Sequence, residues 1–197
     1  MANSLKKIPT WAWVSGVLVI LALWMVSVYN GLVVKEGSVQ STWAEVEVQY
    51  QRRSDLVPQL VATVEGAADF EQSTLTAVTE ARTNWLTTSS DPNASFEDQI
   101  AASGTFDSAF SRLLVSVEAY PDLTATENFQ TLQAQLEGTE NRVAVARMDF
   151  NNAATTYNVT VRKVPTRLVA GLFGFEPYPL FEGVEGSEDA PTVEFDF

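Results

Sequence analysis

The sequence predicts an all-α protein: an N-terminal transmembrane helix continuing into an antiparallel up-down helical bundle. The bundle would have three long helices, or four if the first breaks near Pro58. Three observations carry this prediction. The run from Trp11 to Tyr29 holds no charged residue. Two later stretches place apolar residues three and four apart over many turns, the period of a helix with one buried face. No alternation of useful strand length interrupts them. The chain then divides into a short N-terminal segment (1–10), an anchor (11–29), a bundle (30–175) and an acidic C-terminal tail (176–197).

The anchor is read from its edges. At about 1.5 Å rise per residue, Trp11–Tyr29 approaches the about 30 Å of a hydrocarbon core. Trp11 and Trp13 mark one end, Trp24 and Tyr29 the other, as interfacial aromatics do. The other reading is a cleaved signal peptide. The length of the apolar run and the lack of a small-x-small cleavage site favour an uncleaved anchor. Lys6 and Lys7 precede the run and only Lys35 follows closely, beside Glu36. The positive-inside rule therefore predicts a single-pass inner-membrane protein, N-terminus cytoplasmic and bundle extracytoplasmic.

Beyond the anchor the 3–4 spacing runs through Leu32, Val39, Trp43, Val46, Tyr50, Val57, Leu60 and Val64, and on through Val78 and Ala81 to Trp85. Pro58 removes a backbone donor, so a kink is expected between Arg53 and Pro58, with a new helix capped by Ser54 or Asp55 as the alternative. Thr87–Ser95 reads as a loop. Ser95 with Asp98 opens the next helix as a capping box, with Ile100, Phe106, Phe110, Leu113, Leu114 and Val117 on its apolar face. Thr124-Ala125-Thr126-Glu127 signals another start. The last long helix then carries Phe129, Leu132, Leu136, Thr139, Val143, Ala146, Phe150, Ala153, Tyr157, Thr160 and Val164, closed by Pro165. A short apolar piece follows, and from Glu176 on there are acids and no bases, which predicts a mostly solvated tail.

Composition excludes whole classes of chemistry. With no His and no Cys in 197 residues, imidazole catalysis, thiol nucleophiles and the usual zinc ligands are absent, and no cofactor is expected. The net charge of −13 argues against nucleic acid as a partner. What remains is a stripe of polar residues. Glu140, Arg147, Asn151 and Asn158, spaced seven, four and seven apart, fall on one helix face beside the apolar seam. Arg53 and Glu71 intrude on the seam of the first helix. Such a stripe is either a polar site or a network of half-buried partners that fixes register, as polar residues do in coiled-coil cores. The second reading is expected. A carboxylate pair for hydrolysis would need a cleft that helix surfaces do not supply, so no enzyme is expected.

Several of these residues resemble a known family. "YNGLV", "YQRRSDLVPQLV", "EAYPDL", "NFQTLQAQLEGTENRVAVAR", "FNNAATTYN" and "FGF" occur in the order seen in the LemA family of bacterial membrane-anchored helical proteins, from about Tyr29 to Phe175. The resemblance implies one transmembrane helix, a bundle usually described as four helices, and no established enzymatic activity. One branch, in magnetosome-forming bacteria, is linked to shaping an intracellular membrane, and some relatives are encoded near membrane proteases. The chain departs from the family at Thr124 (often Lys), Phe150 (often Tyr) and Val164 (often Phe).

Two functions are therefore expected in turn: a scaffold that self-associates and organises or shapes a membrane, or an adaptor presenting the bundle to a membrane protease or signalling partner. The lipid bilayer and further copies of the chain are the expected partners. Leu168, Val169, Leu172, Phe173 and Phe175 are too apolar to stand exposed in a lone monomer. They are expected to cover the bundle, a neighbouring subunit or the lipid interface. At the C-terminus Val193, Phe195 and Phe197 alternate with Glu194 and Asp196. That pattern suits a strand exchanged between subunits, a peptide end for a PDZ-containing protein, or solvated chain.

Overall fold

A computed structural model of the protein describes residues 10–66 and 70–182. The alternating end with Val193, Phe195 and Phe197 lies outside the described residues, as do Lys6 and Lys7. Among the described residues the secondary structure is helical: α1 (Thr10–Glu65), α2 (Gln72–Ser90), α3 (Phe96–Val117), the single turn α4 (Pro121–Thr124), α5 (Glu127–Arg162) and α6 (Thr166–Phe173).

Helix α1 runs 56 residues without interruption. Its first part is the one helix here long and apolar enough to cross a membrane, and its apolar side chains face outward, Leu18 at 61% and Leu23 at 66% exposure. Burial begins at Leu32 and continues through Val39, Trp43, Val46, Tyr50, Val57, Leu60 and Val64, the seam that the spacing predicts. The exposed apolar segment and the first stretch of the core thus share one helix.

The break near Pro58, the alternative to a kinked but continuous helix, does not occur. The helix passes through Pro58 to Glu65, and α2 begins at Gln72. The physical reason lies one turn back. A residue in place of Pro58 would donate its N–H to the carbonyl of Ser54; in its absence Arg82 Nε of α2 donates to that carbonyl at 2.7 Å. With the orphaned acceptor satisfied from outside, the helix has no need to end there. Gly66, rather than proline, supplies the weak point.

The other boundaries shift by smaller amounts. Helix α2 continues through Thr87 to Ser90, so the predicted loop shortens to residues 91–94. The Ser95–Asp98 capping box opens α3 as expected. Helix α5 is capped by Thr126, whose hydroxyl accepts from Phe129 N, while Thr124 closes α4. The α5 seam holds to Phe150 and keeps Tyr157, but around it Ala154 and Val161 are buried in place of Ala153, Thr160 and Val164. A helix of 3.6 residues per turn drifts against a strict 3–4 alternation in this way.

Helix directions follow from the paired positions. Trp43, Tyr50 and Arg53 of α1 meet Phe150, Arg147 and Glu140 of α5 in reverse order. Trp43 and Tyr50 meet Gln99 and Asp107 of α3 in the same order. Tyr50 and Ser54 meet Trp85 and Arg82 of α2, again reversed. The core is aromatic at its centre, with Tyr50, Trp85, Phe106, Phe110, Phe150 and Tyr157 all essentially inaccessible.

Candidate functional site

Three helices, α1, α3 and α5, bring polar groups together inside the bundle. Arg53 of α1 is 3% exposed, with its guanidinium 4.7 Å from the Phe110 ring centre. It donates from Nε to Glu140 at 2.7 Å, from Nη2 to the same carboxylate, and from Nη1 to Asp107. Arg147 of α5 donates to the second Asp107 oxygen and to the hydroxyl of Tyr50. Tyr50 in turn donates to Asp107 Oδ1 at 2.9 Å. Asp107 is thus the node, joining α1, α3 and α5 through both oxygens.

Burial pushes the Asp107 carboxyl up from 3.8 to about 6, against the Arg53 charge and hydrogen bond that pull it down. Burial also lowers Arg147 to about 10. The node therefore holds charge against a desolvation penalty, and it is stable only while its partners stay in place.

The predicted polar stripe divides in two. Glu140 and Arg147 belong to this node. Asn151 and Asn158 do something else: each clamps the backbone of the segment after α6. Asn158 donates to Tyr178 O at 2.8 Å and accepts from Tyr178 N at 2.8 Å. Asn151 makes the same pair with Phe181, at 2.9 Å each way. Seven residues of helix and three of extended chain both span about 10 Å, so the spacings match. Phe181 stacks on Trp43 at 5.9 Å and lies under the Arg147 guanidinium at 4.7 Å. Tyr178 meets Phe96 and Tyr157 edge-on. Residues 175–182 form a strap along α5, and the expectation of solvated chain from Glu176 on does not hold for them.

One further expectation is corrected. Glu71 is not in the node: it stands exposed at the head of α2, where its carboxylate accepts from Ser73 at 2.6 Å. The register that places it on the seam ends with α1 at Glu65. Asp107, in contrast, escaped notice because it reads as a surface acid beside Phe106.

The apolar residues after Pro165 separate by face. Val169 and Ala170 are buried against the bundle, and Phe175 packs on Tyr29 at 5.5 Å. Leu168 and Leu172 remain 73% and 68% exposed, and Phe173 is half exposed beside Tyr29 at 4.9 Å. Of the predicted anchor aromatics, Trp11 and Trp13 stand exposed, Trp24 is less exposed, and Tyr29 packs on Phe173 of α6.

The LemA family model matches residues 42–195, most of the chain. The chain belongs to the LemA family. The node and the strap site both lie within the matched region of this LemA protein. Among curated relatives, magnetosome protein MamQ 1 of Paramagnetospirillum magneticum is 27% identical over 186 aligned residues, covering 84% of this chain and 68% of the relative. Magnetosome protein MamQ of Magnetospirillum gryphiswaldense is 26% identical over the same span and shares.

Proposed function

We propose that this LemA protein is a non-enzymatic, membrane-anchored scaffold that self-associates and organises or shapes a membrane. The observation that carries the reading is the continuity of α1, which makes the apolar span and the first bundle helix a single rod. Any force or order imposed on the bundle reaches the bilayer without a hinge. An up-down antiparallel bundle built on that rod is the unit that would repeat. The magnetosome relatives support a role at a membrane, and membrane association is what we carry over from them.

The polar node supports a structural role over a catalytic one. Both Asp107 oxygens are engaged by Arg53, Arg147 and Tyr50. Among the described residues no group of three His, Cys, Asp or Glu side chains is placed to hold a metal.

The full chain extracted in mild detergent should run as a large homo-oligomer. A particle of one-chain size that grows only when a membrane protease or PDZ-containing partner is added would overturn the scaffold reading and favour the adaptor. In the proposed topology the bundle is extracytoplasmic. Protease added to cells with a permeabilised outer layer should digest it, whereas digestion only in inverted vesicles would reverse the orientation.

A further inference from the structure

We propose that α6 is an interfacial helix whose apolar face rests in the same bilayer that α1 crosses, and that the cleft between Arg162 and Arg167 holds an anionic phospholipid headgroup. The inference rests on the reading of α1 as the membrane span, and its position follows from Tyr29. That residue ends the apolar run, and its ring packs on Phe173 and Phe175 at 4.9 and 5.5 Å. Helix α6 is therefore held at the depth where the span emerges.

Its outward face is apolar. Val164 is 81% exposed, and Leu168 and Leu172, one turn apart, are nearly as open, with Phe173 beside them. Helix α6 is fixed from behind by Val169 and Ala170, so this exposed face cannot turn inward. The helix ends at Gly174, whose φ of 76° lets the chain reverse while Phe175 N returns to Ala170 O at 3.0 Å. An amphipathic helix lying flat at the boundary of headgroups and acyl chains presents such a face.

The charge around it runs against the rest of the protein. The chain has 25 acids to 12 bases, yet Arg162, Lys163 and Arg167 cluster at this end. Among the described residues the ion pairs all belong to the Arg53–Asp107–Arg147 node, so none of these three has an acidic partner there. Arg162 and Arg167 line one cleft of about 470 Å³ with Gly171, Phe175 and Pro177. Two guanidiniums with no acidic partner among the described residues, beside an apolar face, match a phosphate group above an acyl chain.

The chain has no native cysteine, so single labels are clean. Nitroxides placed by Leu172→Cys, Leu18→Cys and Thr155→Cys in the full chain, reconstituted in phosphatidylcholine vesicles with phosphatidylglycerol, report depth. The Leu172 label should be more accessible to oxygen than to a water-soluble nickel chelate, while the label at exposed Thr155 shows the reverse. A Leu172 label as open to nickel as Thr155, with Leu18 still in hydrocarbon, overturns the inference and leaves the anchor intact. Spin broadening at Leu172 that disappears on dilution with unlabelled protein would assign the face to a second copy and also overturn it. Spin-labelled phosphatidylglycerol should be enriched over phosphatidylcholine around the protein. Arg162→Gln with Arg167→Gln should reduce that enrichment by about fivefold for each arginine removed. Equal enrichment in the variant would sink the headgroup site.

Discussion

Arg82 of α2 donates at 2.7 Å to the Ser54 carbonyl that Pro58 leaves without a helical partner. A proline inside a helix here comes with its own repair. The pair predicts a conditional effect. Arg82→Ala should destabilise the bundle by about 1.5–3 kcal/mol, the range for a hydrogen bond involving a charged group. In a Pro58→Ala background, where the N–H is restored, the same substitution should cost much less. Chemical denaturation of the four chains of this cycle measures the difference. Identical costs in the two backgrounds would mean that Arg82 acts elsewhere.

Arg53 and Arg167 should differ sharply. Arg53→Ala leaves Asp107 and Glu140 facing a buried gap and is expected to cost about 3–5 kcal/mol. Arg167→Ala, exposed and without an acidic partner among the described residues, should stay within about 0.5 kcal/mol. Unfolding transitions of the detergent-solubilised variants decide this, and equal values would contradict the node.

Asp107 makes stability depend on pH with a definite sign. Its folded value is raised from 3.8 to about 6, so the folded state binds the proton more tightly than the unfolded chain. Its favourable contribution is complete below the unfolded value and disappears as pH rises through about 6. Relative to Asp107→Asn, which does not titrate, the native chain should lose about 1–3 kcal/mol between about pH 4 and pH 7. Denaturant titrations of both chains across that window test it, and a constant difference would place Asp107 at an ordinary carboxylate value.

The strap depends on two amides. In Asn151→Ala with Asn158→Ala, the Tyr178 and Phe181 N–H groups lose the oxygens they donate to. Their hydrogen exchange should accelerate while amides in the middle of α5 keep their protection. Unchanged exchange at Tyr178 and Phe181 would show that aromatic packing alone holds the strap.

Much of the helical register was legible because burial on α1 and α5 follows a single spacing for many turns, from Leu32 to Val64 and from Phe129 to Phe150. What escaped the sequence were relationships between segments. The effect of Pro58 depends on a guanidinium 24 positions later, which no local rule contains. Asp107 reads as a solvated acid until Arg53 and Arg147 are seen to converge on it. Tyr178, between Pro177 and Pro179 in an acidic stretch, reads as tail. Its clue was arithmetic: Asn151 and Asn158 are separated by the same length as Tyr178 and Phe181. Glu71 fell on a seam extrapolated across Gly66, where the helix had already ended.

With α1 as the proposed membrane span, its continuity would also turn membrane thickness into sideways movement. A span longer than the local hydrocarbon layer leans over to keep its apolar residues covered. The part of α1 beyond Tyr29, which ends at Glu65, is about 54 Å long at 1.5 Å per residue, so every ten degrees of lean swings its far end by about 9 Å. Two such chains fixed at their feet would therefore spread or converge at their tips as the lipid beneath them thins or thickens. In the proposed membrane-anchored state the protein would act as a lever whose fulcrum lies at the bilayer surface.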